Sequence, residues 1–103
     1  MNPIDLQLGD DVIVKGCLYP TKDPAYLRED LLEIDLPSGL TIDVGWYPEG
    51  DPEGAYRIVV YRGYWVQQVI EPITTADTER AVEVIRKLCS TFAAPRLSSS
   101  SPR

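Results

Sequence analysis

Three groups of side chains have the types and the spacing to do chemistry. The first is the stretch PEGDPEG, residues 48–54, where Glu49, Asp51 and Glu53 alternate with prolines and glycines. Calcium takes several oxygen ligands from one flexible loop, so the residue types suit a cation. The same charges suit docking of a basic partner. The known calcium-loop pattern of acids around a fixed glycine is absent, however, and proline and glycine at this spacing make turns. The near-repeat therefore reads as two tight turns in succession, forming a solvated connection between strands.

The second group is Glu33 and Asp43. In the hairpin derived below these carboxylates stand directly opposite each other, and such a pair can raise one pKa and support acid–base work. With no pocket evident, the expected arrangement is an exposed pair relieved by a neighbouring lysine or arginine. The third group is aromatic: Trp46, Tyr47, Tyr56, Tyr61, Tyr64 and Trp65 fall close together on strands expected to be neighbours. Tyrosine and tryptophan combine rigid apolar area with a polar handle, which suits a recognition surface or a homodimer interface. They are also good strand residues that can simply complete a small core.

Most other chemistry lacks its residues. The chain has no histidine, so Ser-His-Asp and Cys-His nucleophile systems are missing. Cys17 and Cys89 stand far apart with no Cys-x-x-Cys, which leaves no zinc set and suggests packing thiols in a reducing compartment. No glycine-rich loop leads from a strand into a helix to cradle phosphate. A net charge of −6 argues against nucleic acid and anionic membrane as partners. Neither a basic-then-apolar leader nor a long apolar run is present. A cytoplasmic protein with no cofactor is expected, and its partner is another protein or a second copy of itself.

The groups need elements to hold them. The opening PIDLQLGDDVIVKGCLY alternates Ile4, Leu6 and Leu8, breaks at Gly9-Asp10-Asp11, then alternates Val12, Val14 and Leu18. That pattern predicts a strand, a turn and a strand near 11–19, with Asn2-Pro3 offering a short capped helix as the alternative start. The run LxxGDxVxVKG at this break resembles the first strand of many SH3-like and OB-type barrels. The resemblance implies a small barrel as an alternative fold and carries no catalytic residue. Asp23-Pro24 then predicts a helical turn near 24–29.

LLEIDLPSGLTIDVGWY is the clearest hairpin. A three-residue Pro37-Ser38-Gly39 loop sets Leu36 against Leu40, Ile34 against Ile42 and Leu32 against Val44 on one face. The other face then carries Glu33, Asp35, Thr41, Asp43 and Tyr47. Beyond the acidic loop, YRIVVYRGYWVQQVIE predicts two more strands folding at Arg62-Gly63. Pairing Tyr47 with Tyr56 would set Trp46 against Arg57 and send Ile58 and Val60 to the opposite side, making this strand apolar on both faces. The register of the last hairpin is left open by the pattern.

TTADTERAVEVIRKLCSTFAAP predicts the one long helix, capped by Thr74 or Thr75 and stopped by Pro95. Ala81, Ile85, Leu88 and Phe92 form its apolar stripe, widened by Val82 and Cys89, and Glu83 can pair with Lys87. The serine-rich residues 96–103 have little to bury and are expected to be disordered.

The expected fold is α+β: one domain over 1–95, an antiparallel meander of about four or five strands, with the carboxy-terminal helix packed on one face. One helix covers one face only. The favoured function is therefore a non-enzymatic protein-interaction module using the other face, around Tyr47, Tyr56, Ile58, Tyr61 and Tyr64, in one form an acidic neutraliser of a cationic partner. A small-molecule pocket between helix and sheet, with Trp46 or Trp65 in its wall, is the alternative. An enzyme working through Glu33 and Asp43 comes third.

Overall fold

A computed structural model describes residues 1–63 and 67–93. Tyr64, Trp65, Pro95 and the serine-rich 96–103 segment lie outside the described residues.

The chain forms an open antiparallel sheet from β1 (Ile13–Gly16), β2 (Leu32–Asp35), β3 (Leu40–Tyr47), β4 (Ala55–Arg62), β5 (Gln67–Gln68) and β6 (Ile73–Thr75). The order runs β1-β2-β3-β4-β5, and β6 also pairs with β4. This is the expected meander, with its last strand in two pieces. Val69 N–H still donates to Val60 C=O at 2.8 Å, but Ile73 pairs with Ile58. Three residues, Ile70, Glu71 and Pro72, thus stand opposite Val59 alone, a bulge that suits a proline unable to donate to the ladder. The sheet does not close, so the barrel alternative fails: β1 pairs with β2 alone.

The hairpin from β2 to β3 has the register read from its loop. Leu32 faces Val44, Glu33 faces Asp43 and Ile34 faces Ile42, with Gly39 at φ 91° in the turn. From β3 to β4 the register differs by one residue from the expected pairing. Tyr47 pairs with Ala55, so Trp46 faces Tyr56, Val44 faces Ile58 and Ile42 faces Val60. A one-residue slip exchanges the faces of a strand. Tyr56, Ile58 and Val60 therefore enter the core and do not project from the far side.

The amino-terminal alternation was expected to give a sheet strand and does not. Ile4 N–H reaches Leu18 C=O at 2.8 Å, but Gln7 takes a left-handed backbone at φ 55° and the Leu6 carbonyl turns to the Arg86 guanidinium, whose Nε donates at 3.0 Å. Leu6 is laid into the core, and pairing stops there. At Asp23 the expected helical turn is present as Pro24–Tyr26, capped by the Asp23 carboxylate accepting from Ala25 N–H at 3.0 Å.

Helix α1 (Thr78–Thr91) starts later than expected, because Thr74 and Thr75 are held in β6. Asp77 caps it, accepting the Glu79 N–H at 3.1 Å. Its stripe of Ala81, Val82, Val84, Ile85 and Leu88 is buried against the inner sheet face. Ser38 in the β2–β3 turn donates to Phe92 C=O at 2.9 Å and ties the helix end to that hairpin. Glu83 pairs backward with Arg80 at 2.9 Å, where Lys87 was expected. Among the described residues no helix is long and apolar enough to cross a membrane.

Candidate functional site

With α1 on the inner face, no α-helix among the described residues covers the outer face of the sheet. The registers order it in rows. Ile13, Asp35, Thr41, Tyr61 and Gln68 form one; Lys15, Glu33, Asp43 and Val59 the next; Gly45, Arg57 and Thr74 a third; Tyr47 and Ala55 the last. Each row follows from pleat alternation, since residues two apart on a strand share a face. The face is polar, with carboxylates in its middle.

Glu33 and Asp43 are directly opposed, as the hairpin required. Relief comes from the edge strand: Lys15 Nζ lies 3.3 Å from Glu33 and 3.5 Å from Asp35. The paired ammonium is correspondingly held above the ordinary lysine value, chiefly by its hydrogen bond to Glu33. Asp35 also accepts from the Thr41 hydroxyl at 3.0 Å. Among the described residues Asp43 has no such direct donor. Its pKa is raised first by burial, then by the charges of Asp30 and Glu33, with Arg57 opposing. Asp30, Glu33 and Asp43 stand with Lys15 around a hollow of about 450 Å³. A concavity walled by three carboxylates, one of them reluctant to ionise, can accept the head of a lysine or arginine side chain.

Gly45 explains how this hollow acquires its wall. A Cβ there would collide with the Glu29 carbonyl oxygen, so the 28–31 segment lies against β3 only because the side chain is missing. Trp46 N–H donates to Arg28 C=O at 2.8 Å and Leu31 N–H to Val44 C=O at 3.1 Å. These bonds carry Asp30 to the face.

The residues singled out from the sequence part company. Tyr47 is 37% exposed on the outer face, its hydroxyl 3.4 Å from Glu29 C=O, and its pKa is raised by burial and by Asp43. Tyr61 is half-buried on the same face. Trp46, Tyr56 and Ile58 are core residues. The Trp46 and Tyr56 rings meet edge to face with centroids 4.8 Å apart, the indole N–H donates to Asp51 C=O at 2.7 Å, and the Tyr56 hydroxyl is 3.1 Å from Thr78 Oγ1. The expected aromatic surface is therefore divided between two faces.

The acidic loop is two successive turns, as its near-repeat indicated. Asp51 N–H donates to Pro48 C=O at 3.2 Å, and Gly54 N–H to Asp51 C=O at 2.9 Å. Its acids have structural partners: Glu49 accepts the Glu29 N–H at 3.0 Å and Asp51 accepts the Glu53 N–H at 2.9 Å. Gly50 N–H reaches Leu27 C=O at 2.6 Å, so the loop is stitched to the 27–29 segment. Among the described residues no three acids or cysteines converge as metal ligands.

Three groups on the face were not singled out in the sequence. Lys15 and Arg57 emerge once the registers of β1 and β4 are set. Asp30 precedes β2 and reaches the face through an irregular segment with no periodic signal. Compared with known proteins, the chain matches no family model, no curated protein and no solved structure.

Proposed function

We propose that the protein is a non-enzymatic binding module that docks a cationic partner protein on the outer sheet face, seating a lysine or arginine in the hollow among Asp30, Glu33 and Asp43. The observation that carries this reading is that hollow, walled by three carboxylates and by Lys15, which Glu33 and Asp35 hold to one side, on the sheet face that no α-helix among the described residues covers. The net charge of −6 supports it by favouring encounter with a basic protein. Tyr47 and Tyr61 supply the aromatic rim of the face, and the exposed Glu53 adds charge at the loop end. Free thiols at Cys17 and Cys89 suit a cytoplasmic setting.

The test is capture of partners from the host's lysate by wild type and by a variant carrying Asp30→Lys and Asp43→Lys. A basic protein retained by wild type, released as salt is raised and lost from the variant is the expected result. Equal retention by both baits, or binding indifferent to salt, would sink the reading.

A further inference from the structure

On the opposite side of the molecule a groove of about 720 Å³ runs between α1 and the segments carrying Ile4 and Pro20 to Lys22. Small-molecule sites commonly fall in the range of roughly 300–1,000 Å³, with apolar walls and a few placed polar groups. Here Ile4, Pro20 and Val82 supply apolar wall, and Lys22 and Arg86 are its cations. From Thr78 to Arg86, eight residue steps along the helix, the rise is about 12 Å, so the groove is elongated.

Lys22 is held in an unusual way for a chain so rich in acids. Its ammonium donates to Thr78 Oγ1 at 3.2 Å and lies 5.6 Å and 5.9 Å from the ring centroids of Trp46 and Tyr56. Among the described residues it has no carboxylate within ion-pair distance. A cation positioned by a hydroxyl and two π faces keeps its charge available to an incoming anion. Arg86 is partly committed, its Nε donating to Leu6 C=O. Glu79 and Glu83 on the helix wall oppose a multiply charged head group, although Glu83 is drawn aside by Arg80.

We infer that this groove binds a small amphipathic carboxylate, its apolar body lying along Ile4, Pro20 and Val82 and its single negative charge on Lys22. The helix-side groove and the outer-face hollow are separate sites, so failure of one leaves the other standing. The alternative of the sequence reading, a pocket between helix and sheet with a tryptophan in its wall, is altered accordingly: Trp46 lies behind Lys22 and does not line the groove.

Calorimetric titration of the whole chain with dodecanoate, kept below its micelle-forming concentration, tests the inference, with dodecanol as the neutral counterpart. Saturable one-to-one binding is expected for dodecanoate. It should weaken roughly tenfold or more in Lys22→Gln, which removes a charge-assisted hydrogen bond, and tighten in Glu79→Gln, which removes a repelling charge. Both substitutions are on exposed residues, and an unchanged denaturant melt of each variant checks that the Trp46 and Tyr56 rings beneath Lys22 keep their packing. No saturable heat, equal affinity for dodecanol, or indifference to both Lys22→Gln and Glu79→Gln would overturn it, as would binding only to vesicles of anionic phospholipid.

Discussion

The two faces of β3 and β4 are built from one alternating sequence and held together by opposite means. On the inner face Ile42, Val44 and Trp46 meet Val60, Ile58 and Tyr56 under the helix, and each of the six is essentially solvent-free. On the outer face Asp43 meets Val59 and Gly45 meets Arg57, with the irregular 28–31 segment against Gly45 and no α-helix among the described residues above them. Burying apolar area stabilises in proportion to the area removed from water. A charged face gains little from each pair, because water competes for both partners. The inner face thus holds the fold, and the outer one is left free to vary in charge and to bind.

That contrast can be broken most severely from the inside. Trp46→Ala removes the largest core side chain together with its ring contact to Tyr56, and should cost about 3–5 kcal/mol by denaturant unfolding. A next, smaller effect should come from the backbone of the outer face. Gly45→Ala drives a methyl group into the Glu29 carbonyl, and an overpacking cost of about 1–3 kcal/mol is expected, with loosening of the 28–31 segment visible in amide exchange. A loss as large at Lys15→Met as at Trp46→Ala would refute the division of labour.

The smallest effects sharpen the comparison, since they come from the charges of the outer face and should differ in sign. Burial and the neighbouring Asp30 and Glu33 charges hold the folded-state pKa of Asp43 above the ordinary aspartate value of 3.8, so ionising it costs more in the folded chain than in the unfolded one. Its contribution is therefore most favourable below that ordinary value and declines as pH rises through the raised folded pKa. Asp43→Asn should flatten the pH dependence of stability across that window. At neutral pH it should stabilise slightly, by no more than about 0.5 kcal/mol, because the half-exposed carboxyl is screened. Thermal melts of both proteins across the acid range check the sign. Lys15→Met should lower stability only at low ionic strength, since its two partners are surface carboxylates.

The β2–β3 hairpin was fully legible because two independent signals agreed: a glycine-bearing loop of one length and apolar faces that match only in that register. The neighbouring β3–β4 pairing offered only the faces. Setting Tyr47 against Tyr56 treats Ala55 as loop, and alanine gives no strand signal to contradict that choice. The alternation of Tyr56, Ile58 and Val60 with Trp46, Val44 and Ile42 carries the corrected register in plain view. At the amino terminus the alternation of Ile4, Leu6 and Leu8 was genuine, but it serves an irregular segment whose carbonyl is claimed by Arg86 from eighty residues away. Of the candidate face, Glu33, Asp35, Asp43 and Tyr47 were readable from one hairpin. Asp30 and Lys22 were not, because both lie on connections, where position is set by contacts distant in sequence.

The bulge at Ile70-Glu71-Pro72 bears on how the molecule behaves when crowded. A fibre grows by strand addition only if each unit offers two receptive edges, one to capture and one to be captured. Here the far edge is cut into paired runs of two and three residues, separated by a proline that lacks a donor. Among the described residues only β1, four residues long, presents an uninterrupted margin. Among the described residues, an interrupted far edge of this kind disfavours strand-by-strand growth beyond a closed pair of chains.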